Sequence, residues 1–398
     1  MIRFLSKGRA TNLLLALASV AFSLACAEVF LRAFNPIGQR LMGDQIVLPR
    51  NTTVSFTNEA NAKVDATIEF RRNVLGFRGP DPPRDFDRWL TVVAVGGSTT
   101  ECLYLSEGHS WPEAFAGELD ASLDGLWVNN AGLDGHSTYG HSMLMEQMLD
   151  DLRPKVILFL IGINDVGRAA RKGSEHAQEQ PFHVRLARYS ALAATAVNLF
   201  RYAEAKRAAL THGQVSLRHM PTVEPDAERE AALEAMHRET YLAGYRERVR
   251  GLVESSRAGG AMPVLMTQPA LYGPGRDPKT GVDLARVLVQ DDRRMGGREV
   301  DGGSAWRVLE LYNDVVRDEA RALDVPLVDV AQALPKDGRY FYDFLHLTNA
   351  GAAAVGRIAA GALCPVVAHR FASHRRGPCP LPAVFGEDAK GMSGIAVR

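Results

Sequence analysis

Four short stretches of this chain carry residue types that can perform acyl transfer. The first is Gly96-Gly97-Ser98-Thr99-Thr100, which ends the apolar, β-branched run Thr91 to Val95. A buried strand reads this way, as a continuous hydrophobic run stopped by turn residues. Ser98 then stands at the strand's carboxyl end, the edge where open parallel α/β sheets hold ligands. A serine in that place is either a helix N-cap or a nucleophile. The second reading needs a base touching the hydroxyl, an acid orienting that base, and donors for an oxyanion.

The remaining stretches offer those parts. Of eleven histidines, His346 alone has a patterned acid, in Asp343-Phe344-Leu345-His346, ahead of a helix expected from about Ala350 to Leu363. Asp343 precedes it by three residues, so one turn can bring the carboxylate to the imidazole and leave the other ring nitrogen for Ser98. A second expected strand runs into Gly132-Leu133-Asp134-Gly135, where Gly135 lets a backbone N–H approach an oxyanion. A third runs into Gly162-Ile163-Asn164-Asp165, where the Asn164 amide can donate toward the same point. Taken singly, these are also a plain turn and a loop cap. Gln268, at the end of Met262 to Pro269, is either a pocket residue or part of a buried strand end.

Positioning these groups on one edge requires alternating strands and helices. Strands are expected at Thr91 to Gly97, Leu126 to Gly132, Lys155 to Gly162, Met262 to Pro269 and Pro326 to Val330. Helices are expected at Trp111 to Leu123, Ser142 to Leu152 and Trp306 to Ala322. That alternation implies βαβ units and a parallel sheet. Two insertions interrupt it. Residues 168–259 form a helical insertion, with apolar positions at helical spacing from Leu186 to Phe200 and one long helix from Glu228 to Ser255. Residues 272–304, rich in Gly, Pro and Asp, follow the fourth strand and should overhang the Ser98 edge as a lid-like loop. Residues 35–89 read as a linker and edge segment, with a tight turn at Asn73 to Gly79.

The N-terminus places Arg3, Lys7 and Arg9 before an uncharged stretch from Ala10 to Ala27, the pattern of an export signal. Ala25-Cys26-Ala27 fits a cleavage site, but Val29-Phe30-Leu31 continues the apolar helix. Residues 1–34 are therefore expected to be an uncleaved membrane anchor with the rest of the chain outside, on the periplasmic side. If they were cleaved, the protein would be secreted. The charge balance, 46 basic against 46 acidic residues, shows no basic stripe for nucleic acid. The four cysteines have no metal-ligand spacing, so no zinc site is expected. Cys364 and Cys379, both in a C-terminal tail at 364–398, can pair in an oxidising compartment.

Taken together and in order, Gly96-Gly97-Ser98, the Gly135 loop, Gly162-Ile163-Asn164-Asp165 and Asp343-Phe344-Leu345-His346 resemble the four blocks of the SGNH (GDSL-like) hydrolase superfamily. The resemblance covers about residues 75 to 363 and is weakest across the insertions. Gly97 departs from the usual Gly-Asp-Ser, as in many relatives of Gly-Gly-Ser-Thr-Thr form. Thr100 removes any match to the nucleophile elbow of α/β-hydrolases. The resemblance implies a flavodoxin-like, three-layer α/β/α domain over 90–363 with a central parallel sheet of about five strands. It implies Ser98 as nucleophile, His346 as base, Asp343 as its partner, and Ser98, Gly135 and Asn164 as the oxyanion hole. No metal or organic cofactor is implied. The function expected is an exported serine esterase acting on a small acyl ester or an O-acylated envelope or secreted glycan. An O-acyltransferase with the same triad and a non-catalytic envelope scaffold are the alternatives.

Overall fold

The computed structural model describes residues 7–34, 40–59, 61–168, 182–207, 213–291, 298–383 and 385. The chain divides into two units, Met1–Pro49 with Gly173–Lys206, and Arg50–Lys172 with Arg207–Arg398. The expected insertion at 168–259 is thus split: its first part groups with the N-terminal helix, its second with the sheet.

In the larger unit a hairpin of β1 (Thr52–Thr57) and β2 (Thr67–Arg72) precedes the central sheet. Then come β3 (Leu90–Gly96), α1 (Ser98–Glu101), α2 (Trp111–Leu119), β4 (Leu126–Asn130), α3 (Thr138–Leu144) and β5 (Val156–Leu160). The second part of the insertion supplies α4 (Ala227–Thr240) and α5 (Leu242–Ala258); after it follow β6 (Met262–Met266), the antiparallel pair β7 (Leu288–Asp291) and β8 (Arg298–Asp301), and α6 (Gly302–Ala322). The unit closes with β9 (Leu327–Val328), α7 (Val330–Ala333) and α8 (Asn349–Arg370).

The five central strands are parallel, in the order β9-β6-β5-β3-β4. Counted along the chain this is the flavodoxin-like order, with its reversal between β3 and β5. Helices α2 and α8 cover one face; α3, α5 and α6 cover the other. Sheet residues are therefore buried on both sides, which is why β3, β5 and β6 read as unbroken apolar runs. Pro263 is tolerated inside β6 because its neighbour β9 pairs only with Leu265 and Met266.

Several elements differ from the expectation. The helix expected from Glu228 to Ser255 is two, broken at Tyr241. The fifth strand is two residues long. The helix expected at Ser142 starts at Thr138 and passes through a wider turn at Met145–Leu149. The last helix runs past Leu363 to Arg370, so the tail begins later than residue 364.

The smaller unit holds the helix Lys7–Phe34, a two-residue-stranded hairpin at Leu41–Met42 and Gln45–Ile46, and helices Phe182–Tyr189 and Ala191–Arg207. Residues Thr11–Phe34 are long and apolar enough to cross a membrane, and none of their most apolar stretch is buried. Asn349–Arg370 is also long and apolar enough, but two thirds of its most apolar stretch is buried, as in a core helix.

Candidate functional site

β3 delivers the serine. Its last residue, Gly96, leaves no room for a side chain: a Cβ there would lie 2.1 Å from Thr100 Oγ1 and 2.7 Å from the Leu160 carbonyl. Gly97 is the N-cap of α1, and Ser98 is the first helical residue. The Ser98 side chain therefore does not cap the helix. It is 8% exposed, and its Oγ lies 2.8 Å from His346 Nε2.

The histidine comes from a tight excursion between β9 and α8. Phe341 and Leu347 bridge antiparallel, and the Tyr342 N–H donates to the His346 carbonyl at 3.0 Å. At its tip Asp343 faces back. One carboxylate oxygen accepts from the Leu345 N–H at 2.8 Å and the His346 N–H at 2.6 Å; the other lies 2.6 Å from His346 Nδ1. Burial alone would raise the Asp343 carboxyl. The neighbouring imidazole and these three hydrogen bonds outweigh it and hold the group below its ordinary range. The Tyr342 ring stacks on the imidazole, with centroids 5.5 Å apart and planes 11° from parallel. The imidazole is thus fixed on one nitrogen by a carboxylate, on one face by a ring, and at the other nitrogen by Ser98.

The two donor loops leave β4 and β5, on either side of β3. Gly135 has φ +73°, which favours glycine, and its added Cβ would meet open space. Asn164 lies in the turn Ile163–Asp165 and donates from Nδ2 to the His136 carbonyl at 3.0 Å. That bond joins the second and third loops. A Cβ on Gly97 would lie 2.3 Å from the same Nδ2, so Asn164 also packs against the serine turn. The structure brings Ser98, Asp343 and His346 into one hydrogen-bonded row, with Asn164 against the backbone before Ser98. This is the reversal point of the sheet, where such folds open a crevice.

Gln268 is not a pocket residue. It is 1% exposed, and its Oε1 accepts from Thr99 Oγ1 at 3.1 Å. Its backbone N–H donates to Asn313 Oδ1 at 2.8 Å. It joins α1 to β6 and α6.

Two buried acids missed by sequence reasoning support the loops. Glu101, 1% exposed, accepts the Asp134 N–H at 2.6 Å on one oxygen and pairs with Arg72 of β2 at 2.7 Å on the other. It holds the chain one residue before Gly135. Asp165 accepts from the Thr138 N–H at 3.1 Å and Thr138 Oγ1 at 2.5 Å, with Arg248 at 3.4 Å. Burial raises its carboxyl, against the pull of Thr138 and Arg248. Glu101's only sequence signal is an acid inside an otherwise uncharged block; Asp165 closes the Gly162-Ile163-Asn164-Asp165 block, but its bonds to Thr138 and Arg248 leave no local pattern. Cys102, just beyond α1, is buried and its thiol is pushed up to about 12 by burial, so it is no competing nucleophile. Among the described residues no group of three His, Cys, Asp or Glu side chains could hold a metal ion.

No curated protein matches the chain. Among solved structures, Axe2, an acetylxylan esterase from Geobacillus stearothermophilus, is 17% identical with a TM-score of 0.36, covering 67% of this chain and 90% of its own. LAE5, an alpha/beta hydrolase enzyme from the metagenome of Lake Arreo, Spain, is 15% identical with a TM-score of 0.36, covering 67% and 91%. A putative lipolytic protein of the G-D-S-L family from Desulfitobacterium hafniense is 13% identical with a TM-score of 0.33, covering 67% and 95%. The model of the GDSL-like lipase/acylhydrolase family matches residues 94–354, from the middle of β3 into α8, and spans all four blocks. The chain belongs to the GDSL-like lipase/acylhydrolase family and is a serine hydrolase of the esterase class.

Proposed function

We propose that the protein is an exported, membrane-tethered esterase that cleaves O-acyl groups from an envelope or secreted glycan, with Ser98, His346 and Asp343 as its triad. The observation that carries the triad is the row Ser98 Oγ, His346, Asp343, at 2.8 Å and 2.6 Å. Ser98 Oγ attacks the ester carbonyl carbon as His346 Nε2 takes its proton. Asp343, kept ionised, stabilises the imidazolium and fixes the tautomer. The carbonyl oxygen becomes an oxyanion, met by the Ser98 and Gly135 N–H groups and the Asn164 Nδ2. Collapse expels the alcohol, which takes the proton from His346. Water, deprotonated by the same nitrogen, then frees the acid and Ser98.

Export is supported by the exposed apolar helix Thr11–Phe34 and by the Cys364–Cys379 disulfide, a bond of oxidising compartments. The glycan follows from that location and from the family.

The test is hydrolysis of a chromogenic short-chain acyl ester by the full chain in detergent. Ser98→Ala should abolish turnover and labelling by an organophosphonate. Asn164→Ala should lower kcat by about 10²–10³ with the fold intact. Turnover that survives Ser98→Ala sinks the triad. With an acylated glycan as donor and a second glycan as acceptor, free acid alone supports hydrolysis; acylated acceptor would move the reaction to transfer.

A further inference from the structure

The smaller unit carries a charge where an apolar helix should have none. Glu28 lies within Thr11–Phe34, and its carboxylate is used in full. It accepts from the Ala191 N–H at 2.8 Å, the Leu192 N–H at 3.0 Å and Ser190 Oγ at 2.9 Å. Arg32 Nε, one turn on, donates to it at 2.6 Å, and the same guanidinium donates to the Tyr189 carbonyl. Glu28 thus satisfies the first N–H groups of helix Ala191–Arg207, and Arg32 takes a carbonyl at the end of helix Phe182–Tyr189. A carboxylate at one helix's N-terminus and a cation at another's C-terminus are the favourable senses for both dipoles. The junction of the two helices is clamped to the apolar helix. At 1.5 Å per residue, the clamp lies about 9 Å along the axis from Phe34.

Around this junction large apolar side chains are left uncovered. Phe182, Leu186 and Tyr189 recur at helical spacing on one helix and are 71%, 46% and 71% exposed; Leu199 and Phe200 on the next are 52% and 63% exposed. Arg185 and Arg188 sit among the first three. Aromatic rings and leucines interleaved with arginines suit a headgroup layer, where ring and guanidinium straddle apolar and wet zones.

We propose that helices Phe182–Tyr189 and Ala191–Arg207 lie in the outer leaflet's interfacial layer as a lipid-binding collar on the anchor. The occupant is the bilayer, because the exposed face is joined by Glu28 and Arg32 to a helix whose own uncovered apolar surface lipid would fill. The proposal rests on the reading of Thr11–Phe34 as a membrane anchor. It makes the first part of the insertion a membrane element.

The test uses the full chain reconstituted in phosphatidylcholine–phosphatidylglycerol vesicles doped with a lipid bearing a diazirine near the carbonyl end of one acyl chain. After photolysis, adducts are mapped by peptide. Adducts are expected on 11–34 and on 182–200, and Phe182→Ser/Tyr189→Ser/Phe200→Ser should lose the second set to background while keeping the first. Adducts on 11–34 alone overturn the collar and leave the anchor. Adducts on neither overturn both. Chain-to-chain crosslinks through 182–200 in place of lipid adducts overturn the collar in favour of a second copy.

Discussion

Gly97 stands where the usual Gly-Asp-Ser has an aspartate, and the structure gives a packing reason. The space a Cβ would need is taken by Asn164 Nδ2 at 2.3 Å, with the His136 carbonyl at 3.2 Å. The yielding partner is the end of a side chain, not backbone. Gly97→Ala should therefore displace the carboxamide and leave the fold standing. Its kcat is predicted to fall toward the loss caused by removing one oxyanion donor, about 10²–10³, with a near-native thermal transition. A wild-type kcat would show that Asn164 does not serve the oxyanion. Asp343 offers a second check at this scale. Its lowered pKa means that its stabilising contribution is complete above the ordinary carboxylate pKa and is lost as pH falls through the lowered value. Asp343→Asn should flatten that acid limb in urea-unfolding curves and, by leaving the imidazole in the wrong tautomer, lower kcat by about 10⁴. An unchanged acid limb would mean that Asp343 does not carry this pH dependence. Ser98 and Asn164 are legible in the sequence because each follows directly on the end of a strand in a parallel sheet, and every such end lies on one edge; Asp343 and His346, beyond α7, are legible from their three-residue spacing just ahead of α8. Gln268 follows a strand end too, yet it turns inward to Thr99 and Asn313, which no local pattern encodes.

Elements fix where the donor loops stand, and here the sequence is less explicit. The βα order is legible because strands covered on both faces must be continuously apolar. The hairpin of β1 and β2 escapes notice because its two alternating runs, Val54-Ser55-Phe56-Thr57 and Ile68-Glu69-Phe70-Arg71, are brief and lie in a stretch rich in turn residues. Its role is visible only in three dimensions, where Arg72 of β2 reaches Glu101 of α1, and Glu101 holds the Asp134 N–H. Three separate segments meet in that pair, so spacing along the chain carries no trace of it. Glu101→Gln cannot keep both contacts: whichever way the amide turns, its NH2 faces either a backbone N–H or a guanidinium. Leaving Arg72 buried without its anion costs about 3–5 kcal/mol by comparison with broken buried pairs. The prediction is a lowered melting temperature together with a kcat loss larger than the KM change, because the Gly135 N–H would lose its fixed position. A fall in stability with kcat intact would confine Glu101 to structure. The break at Tyr241 falls beside Thr240 and Gly244, weak helix formers that the long Glu-, Arg- and Ala-rich run on either side outweighs when composition alone is read, and both resulting helices pack on α6.

At the scale of the whole larger unit, the two helices of one layer are tied together at the edge opposite Ser98. α8 starts just after the His346 excursion and runs back along the sheet, packed so closely on α2 that a Cβ on Gly356 would lie 2.6 Å from Ala114 Cβ. Beyond Arg370 the chain turns onto the end of α2, where the Asp124 N–H donates to the His374 carbonyl at 2.7 Å, the Arg376 N–H to the Ser122 carbonyl at 2.9 Å, and Ser122 Oγ to the Pro378 carbonyl at 2.7 Å. The Cys364–Cys379 disulfide, 15 residues apart in sequence, locks this strap to α8. The cysteine spacing shows that a pair is possible; what makes it form is the turn after α8, set by contacts with residues 122–124 that lie far away in the chain. A loop of that length is worth about 3 kcal/mol in the unfolded-chain entropy model. At about 2–4 °C per kcal/mol for domains of a few hundred residues, reduction should lower the melting temperature by about 6–12 °C. The strap joins the segment leading into β4, and Ser98 stands where β3 ends, at the far side of the sheet. The kcat/KM of the reduced protein, or of Cys364→Ser/Cys379→Ser, should therefore match the oxidised protein at temperatures well below the transition. Calorimetry with and without dithiothreitol, paired with ester hydrolysis, reads both quantities. A fall in kcat/KM with little change in melting temperature would mean that α8 passes strain from the strap to the His346 excursion at its other end.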